Sequence, residues 1–133
     1  MGTNGRKFIV YRSVNYPSQF ELHLQVGALM KRWTVANGVP LDHLAQRIAA
    51  EQPLVSAAGL SMRRGDVLRL GADTVSVWDA GDWFIAGDFS GHYAKHFRFT
   101  LRGDILRGEW GLVRVFGGKR TKRTAWLLTR TAP

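Results

Sequence analysis

The sequence predicts a mainly β protein, a small antiparallel β-barrel with one short helix, and two observations carry this prediction. Between Gln19 and Val26 apolar and polar residues alternate strictly, so that Phe20, Leu22 and Leu24 fall on one side of an extended strand. Most of the remaining chain consists of short β-branched and aromatic runs separated by compact turns. Many short strands and a single helical segment favour closure into a barrel over an open sheet.

The first half of the chain contains three predicted strands and the one predicted helix. The strands are Lys7–Arg12, Gln19–Val26 and Leu29–Ala36. Leu41–Ala50 has apolar residues at helical spacing and predicts the helix, which Pro53 ends. Val55–Gly65 has neither periodicity and is interpreted as a loop.

The second half is interpreted as strands joined by short turns. The predicted strands are Val67–Leu70, Thr74–Asp79, Trp83–Ala86, His96–Arg102, Ile105–Val115 and Ala125–Arg130. Ala80-Gly81 and Gly103-Asp104 are compact enough for tight hairpins. Gly108 interrupts a long strand and predicts a bulge or bend, as a barrel requires.

Length and composition limit the possible functions. The 133 residues form one predicted domain, 1–133, and the absence of cysteine excludes disulfides and thiolate metal sites. No apolar run approaches the roughly 20 residues of a membrane span, and the polar N-terminus does not resemble a signal peptide. We therefore expect a soluble cytoplasmic protein. The net charge of +9 is typical of proteins that bind polyanions, nucleic acid above all.

Two groups of residues are candidates for a site. Glu21 and His23 lie on the polar face of the predicted strand Gln19–Val26. Neighbouring polar residues on one face of a strand can form a site, although any half-solvated strand has such a face. Between the last two predicted strands, Gly117 to Arg123 places four cations on a glycine-rich loop: Lys119, Arg120, Lys122 and Arg123. Such a loop is either a solvated hairpin tip or a grip for phosphates.

Several segments together resemble the 3'-phosphoesterase domain of bacterial DNA ligase D. The most specific are Thr74-Val75-Ser76-Val77-Trp78-Asp79 and Leu106-Arg107-Gly108-Glu109-Trp110. Others are Phe8-Ile9-Val10, Lys31-Arg32-Trp33-Thr34-Val35, Leu41-Asp42, Pro53-Leu54, Leu112-Val113-Arg114 and Trp126-Leu127-Leu128. The resemblance spans nearly the whole chain. It implies a small β-barrel with a groove for a DNA 3' end, and trimming of 3'-phosphates and terminal ribonucleotides with a manganese-type metal.

The functional positions of that family are largely replaced here. Ser13 and Gln19 stand where the family has histidines, Glu21 stands at its metal-binding aspartate, and His23 stands at its phosphate-binding arginine. A later histidine corresponds to Gln52. The family's next tyrosine corresponds to Ser56, and its lysine corresponds to Asn37. Neutral oxygens hold divalent ions weakly, so the resemblance implies a retained scaffold without the family's catalytic set.

These observations lead to one preferred function and two alternatives. The preferred function is a catalytically degenerate domain, a pseudoenzyme that binds DNA ends or end-joining proteins without a metal. The first alternative is an active phosphoesterase whose rearranged site uses Glu21, His23 and manganese or another divalent metal. The second alternative is a structural or protein-interaction module. The predicted nucleic-acid-binding residues are Arg47, Arg63, Arg64, Lys119, Arg120, Lys122 and Arg123.

Overall fold

Nine antiparallel strands make up the described part of the chain. The computed structural model describes residues 6–39, 45–60, 62–86, 96–118 and 121–132. The strands are β1 (Lys7–Ser13), β2 (Phe20–Val26), β3 (Leu29–Val35), β4 (Gln46–Ser56), β5 (Val67–Leu70), β6 (Asp73–Ala86), β7 (His96–Gly103), β8 (Arg107–Gly118) and β9 (Thr121–Ala132).

Eight of these strands form a closed barrel. They follow the order β1-β2-β3-β4-β9-β8-β7-β6, and pairing between β1 and β6 closes the ring. The short β5 pairs only with the first half of β6, on the side opposite β1, and β7 pairs with the second half of β6 on that same side. The predicted antiparallel barrel is therefore confirmed. Among the described residues no helix has the length and hydropathy needed to cross a bilayer.

The barrel interior holds the main hydrophobic core. Phe20, Leu22 and Leu24 of β2 point into it, which confirms the face assigned to them. Three tryptophans, one from each of β3, β6 and β8, are fully buried there: Trp33, Trp83 and Trp110. These large side chains fill the barrel, so its interior is a packed core and the polar chemistry lies on the outer surface.

A second apolar cluster covers part of the outer surface. It consists of Ile9, Tyr11, Met30, Val75 and Val77 on β1, β3 and β6, with partly buried apolar residues from 55–70 packed against them. The outward face of β2 next to this cluster is therefore shielded from solvent, and His23 is completely buried there. An alternating polar face accordingly marks a partly buried site in this protein and not a solvated surface.

The predicted helix is wrong in the part of it that the structure describes. Gln46–Ser56 is strand β4, which pairs with β3 on one side and β9 on the other. Ala49 points into the core and Ile48 is 53% exposed, as strand alternation requires. Pro53 lies within this strand and does not end a secondary-structure element, although it was expected to end the helix. Pairing with two neighbouring strands stabilises the extended conformation of this segment more than its weak helical pattern stabilises a helix.

One predicted hairpin is wrong and another is confirmed. Ala80-Gly81 lies in the middle of β6, where a side chain at Gly81 would come within 2.0 Å of the Arg102 carbonyl oxygen. The glycine therefore permits close approach of β7 and makes no turn. Gly103-Asp104 does begin the turn from β7 to β8, closed by a 2.8 Å hydrogen bond from Gly103 N to Leu106 O.

Candidate functional site

A polar cluster lies on the outer face of β1, β2 and β3. Strand alternation places Glu21 and His23 on the same side of β2, as predicted. The strand register then brings one residue from each neighbour beside them, since Tyr11 of β1 lies opposite Glu21 and Arg32 of β3 lies opposite His23. Four side chains that can carry charge therefore meet at the edge of the outer apolar cluster.

The Glu21 carboxylate has two cationic or polar partners in this cluster. Its Oε1 atom lies 2.8 Å from His23 Nε2 and 3.0 Å from Arg32 Nη1. Arg32 is fixed further by a 2.7 Å hydrogen bond from its Nε to the carbonyl oxygen of Pro53. The side chains of Glu21 and Arg32 are only about one-fifth exposed. The carboxylate charge is thus compensated within the protein by a guanidinium that the strand β3 supplies.

Burial and charge act in opposite directions on Glu21. Burial alone would raise the pKa of its carboxyl, but the hydrogen bond from His23 and the charges of His23 and Arg32 outweigh it. The pKa of Glu21 therefore lies below its ordinary value, and the group is an anion at neutral pH. The opposite holds for Tyr11, whose pKa is raised to about 12 by burial and by the nearby Glu21 charge.

A small pocket opens beside the polar cluster. Ser13, Gln19 and Glu21 lie on its wall, so three positions that the resemblance assigns to the site meet in space. Asp73 at the start of β6 adds a second carboxylate, and its Oδ1 accepts a hydrogen bond of 3.3 Å from Ser13 Oγ. The full lining is Tyr11, Ser13, Gln19, Phe20, Glu21, Asp73 and Val75.

The donors in this pocket do not match a manganese-type hydrolytic centre. Ser13 and Gln19 offer neutral oxygens, and one oxygen of Glu21 is already bound by Arg32 and His23. An ion held by that carboxylate would lie beside the Arg32 guanidinium, whose charge repels it. Within the described residues, no three side chains of the types His, Cys, Asp and Glu form a group that could hold a metal ion.

The sequence missed Arg32 and Asp73 as site residues. Arg32 is adjacent to a tryptophan in a segment that looks like ordinary strand, and Asp73 follows a turn. Neither has a sequence signal of its own, because each reaches the site only through the register of a neighbouring strand. Gln52, which the resemblance assigns to a further family histidine, lies opposite Arg32 on β4. Arg32 is therefore flanked by His23 on β2 and Gln52 on β4.

Of the seven predicted cationic residues, the structure describes the side chains of Arg47, Arg63 and Arg64, and none of these three lines the pocket. Arg47 donates hydrogen bonds to the carbonyl oxygens of Asn37 and Gln46 at the start of β4. Arg63 and Arg64 are exposed in the segment before β5, where Arg64 Nη1 lies 3.6 Å from Asp104 Oδ2. The predicted cationic loop is shorter than expected, since Gly117 and Gly118 belong to β8 and residues 121–123 to β9. Lys119 and Arg120, and the side chains of Lys122 and Arg123, lie outside the described residues.

The Trp78-Asp79 motif has a structural role. Asp79 is fully buried, and its carboxylate accepts hydrogen bonds from the backbone amides of Asp104, Ile105 and Leu106 at 2.7 to 3.1 Å. This carboxylate holds the turn between β7 and β8 against β6. Gly103 lies directly against it, because a side chain there would come within 2.4 Å of Asp79 Oδ2. The motif therefore stabilises the barrel and does not form part of the pocket.

Comparison with known proteins identifies the fold and its family. Residues 15–114 match the family model of the DNA ligase D 3'-phosphoesterase domain. The chain belongs to that family. It is also 32% identical over 117 residues to the multifunctional non-homologous end joining protein LigD of Pseudomonas aeruginosa. This match covers 84% of the chain and 13% of the relative, so the chain spans only a small part of that protein.

Membership in the phosphoesterase family confirms the resemblance on which the site positions were compared. The scaffold segments that carry the resemblance have structural roles in this chain, as the buried Trp33, Asp79 and Trp110 illustrate. The positions that the resemblance assigns to the family's site, Ser13, Gln19 and His23, lie apart from these buried residues, on β1, β2 and the loop between them. This chain is therefore a ligase D 3'-phosphoesterase-like domain. Its buried residues determine the barrel, and different residues on the outer face determine the chemistry of the pocket.

Proposed function

We propose that this domain binds DNA 3' ends in an end-joining setting without the hydrolysis that its family resemblance implies. The observation that carries this proposal is the pairing of Glu21 with Arg32 and His23. A carboxylate that binds a metal presents free oxygens and an uncompensated charge to the ion, whereas Oε1 of Glu21 is already engaged by His23 and Arg32 on the same outer face. We place the protein in the bacterial cytoplasm, where DNA ends arise, with end-joining proteins as partners.

DNA binding is supported by the charge of the chain and by the position of the pocket. The net charge of +9 favours association with phosphates. The loop before β2 lies beside the pocket and carries Tyr16, which is 66% exposed, and Arg12 reaches that loop with a 2.8 Å hydrogen bond to the Pro17 carbonyl oxygen. An exposed aromatic ring and a cation beside a small pocket suit a strand terminus with an unstacked base.

The second candidate is an active phosphoesterase with a rearranged site. The observation in its favour is that Glu21 and Asp73 contribute two carboxylates to one pocket. Hydrolysis of a phosphate monoester needs electrostatic stabilisation of the transferring group, commonly from metal ions or cations worth several kcal/mol each. The neutral donors Ser13 and Gln19 argue against that arrangement, so this candidate ranks second.

One experiment separates the two candidates. Purified protein is incubated with a 3'-phosphorylated primer-template and manganese, and phosphate release is measured beside DNA binding by fluorescence anisotropy. Glu21→Gln keeps the side-chain volume and removes the charge, and Tyr16→Phe serves as a folded control that leaves both carboxylates in place. Binding without release supports the degenerate domain. Release that Glu21→Gln abolishes and Tyr16→Phe does not would establish the active candidate instead.

The cationic segment supplies a test of the DNA-binding half of the proposal. If Lys119, Arg120, Lys122 and Arg123 all contact a duplex backbone, the log-log salt slope of binding contains about −3.6 from these four residues. Replacing all four by alanine then weakens binding and flattens the slope by that amount, with little change in sequence preference. An unchanged affinity and slope would exclude this segment as the phosphate grip.

A further inference from the structure

A row of charged residues crosses the outer surface where β1, β6, β7 and β8 run side by side. Lys7 lies opposite Asp82, Asp82 opposite Arg102, and Arg102 opposite Arg107. Lys7 Nζ already binds Asp82 Oδ1 at 2.6 Å. Like charges directly opposite each other on a sheet are destabilising. The Arg102–Arg107 pair therefore has a cost to the fold.

The nearby carboxylates are all engaged by other cations. Arg98 Nε donates a 2.8 Å hydrogen bond to Glu109 Oε1, two positions along from Arg107 on the outer face of β8. Asp104, in the turn after Arg102, lies 3.6 Å from Arg64. Arg102 and Arg107 have no ion-pair partner among the residues that the structure describes. Positive charge is thus left uncompensated on both strands that flank this turn.

An exposed aromatic ring completes this surface. Phe84 of β6 points outward and is 41% exposed. The guanidinium carbon of Arg102 lies 4.9 Å from the centre of its ring, in a cation–π contact. Bases of a single strand stack on such aromatic rings and on arginine planes, whereas the bases inside a duplex have no free face to offer. The chemistry therefore selects a single-stranded nucleic acid over a duplex.

We propose that Phe84, Arg102 and Arg107, together the arginine face, bind the single-stranded overhang of a DNA end. This inference rests on the proposed DNA-binding function and extends it to a second surface. The arginine face connects to the pocket through strand β1, because Tyr11 borders the pocket and Lys7 begins the charged row that leads through Asp82 to Arg102. Lys7 lies four positions from Tyr11, about 13 Å along β1, and Arg102 lies two strands further across the sheet, at about 10 Å. A DNA strand whose terminus is at the pocket can therefore reach the arginine face along the outside of the barrel.

The test measures binding of a labelled oligothymidylate and of a blunt duplex of equal length by fluorescence anisotropy at several salt concentrations. Arg107→Ala is compared with Arg69→Ala, which removes an exposed arginine from β5. Phe84→Ala is compared with Val113→Ala, which shortens an exposed apolar side chain that is 47% exposed on β8. Circular dichroism melts of all four variants verify that each remains folded.

Each substitution has a separate expected effect. Arg107→Ala reduces the single-strand salt slope by about 0.7, the value for one phosphate contact. Phe84→Ala weakens oligothymidylate binding about 5- to 150-fold, the loss expected for one stacked base, with the salt slope and duplex affinity unchanged. Arg69→Ala and Val113→Ala bind the oligothymidylate like the wild-type protein.

Three results would overturn the inference. If wild-type protein binds DNA while Arg107→Ala and Phe84→Ala match it, the arginine face is wrong and the proposed function stands. If Arg69→Ala loses as much as Arg107→Ala, binding depends on total charge and on no particular surface. If the wild-type protein binds neither oligothymidylate nor a 3'-phosphorylated primer-template, the proposed function fails together with this inference.

Discussion

Replacing Tyr11 by phenylalanine removes a buried hydroxyl that has no hydrogen-bond partner within the described part of the chain. Leaving a buried polar group unsatisfied costs about 1 to 3 kcal/mol. The Tyr11 ring, whose centre lies 4.9 Å from that of His23 in an edge-to-face contact, keeps its packing in the variant. We therefore expect Tyr11→Phe to raise the free energy of unfolding by about 1 kcal/mol at pH 7.

The same substitution has a larger effect in alkaline solution. The pKa of Tyr11 is raised from 10.0 to about 12, chiefly by burial, so the unfolded chain loses this proton at lower pH than the folded one. Stability from this group is complete below pH 10 and falls as the pH rises to about 12. The loss amounts to about 1.4 kcal/mol at pH 11 and about 2.7 kcal/mol once both states have ionised. Phenylalanine has no such loss.

Urea denaturation at pH 7 and at pH 11 measures both effects. Tyr16→Phe is the matched control, because Tyr16 is 66% exposed and its hydroxyl meets solvent in both states. The stability gap between Tyr11→Phe and wild type should widen at pH 11, whereas that for Tyr16→Phe should not change. A Tyr11→Phe variant that is about 1 kcal/mol less stable than wild type at pH 7 would show that the hydroxyl has a stabilising partner.

Three further substitutions test the site and the barrel. The pKa of Glu21 is lowered in the folded protein, so its ionised carboxylate stabilises the fold above the unfolded pKa, and this stabilisation is lost as the pH falls through the folded pKa. Glu21→Gln removes this contribution, so the free energy of unfolding of the variant should fall less steeply in acid. Parallel urea titrations from neutral to acid pH check this, and identical slopes would contradict it. Leu22→Ala should cost about 2 to 5 kcal/mol in chemical denaturation, and a change under about 0.5 kcal/mol would refute its inward position. Gly103→Ala should cost about 1 to 3 kcal/mol through overlap with Asp79, and a wild-type thermal melt would disprove that packing.

Strand β2 was predictable because its sequence specifies both the extended conformation and the face that is buried. Its period of two specifies an extended chain, and its apolar set specifies which face meets the core. Leu22 and Leu24 are accordingly buried and Glu21 and His23 share the opposite face. Strand β4 was not predictable in this way, because Ile48 and Ala49 are adjacent apolar residues that suit a helix as well as a strand. Its two neighbours in the sheet decided the outcome.

The site could be predicted only within one strand. Glu21 and His23 are two residues apart, so local geometry alone brings them to 2.8 Å. Arg32 and Asp73 depend on the registers of β3 and β6, which no local pattern of the sequence specifies. The expectation of a metal ligand pair at Glu21 and His23 could not foresee that a guanidinium from β3 would bind the same carboxylate oxygen.

Closure of the barrel has a consequence for how the chain folds. Pairing of β1 with β6 joins residues 7 and 82, and pairing of β4 with β9 joins residues 46 and 129. Such non-local pairings slow folding, to times on the order of milliseconds to seconds for small barrels. Before β6 and β9 pair with them, β1 and β4 are the two unpaired edges of the sheet formed by the first four strands. Open edges pair readily with other chains, so the yield on refolding should fall as protein concentration rises.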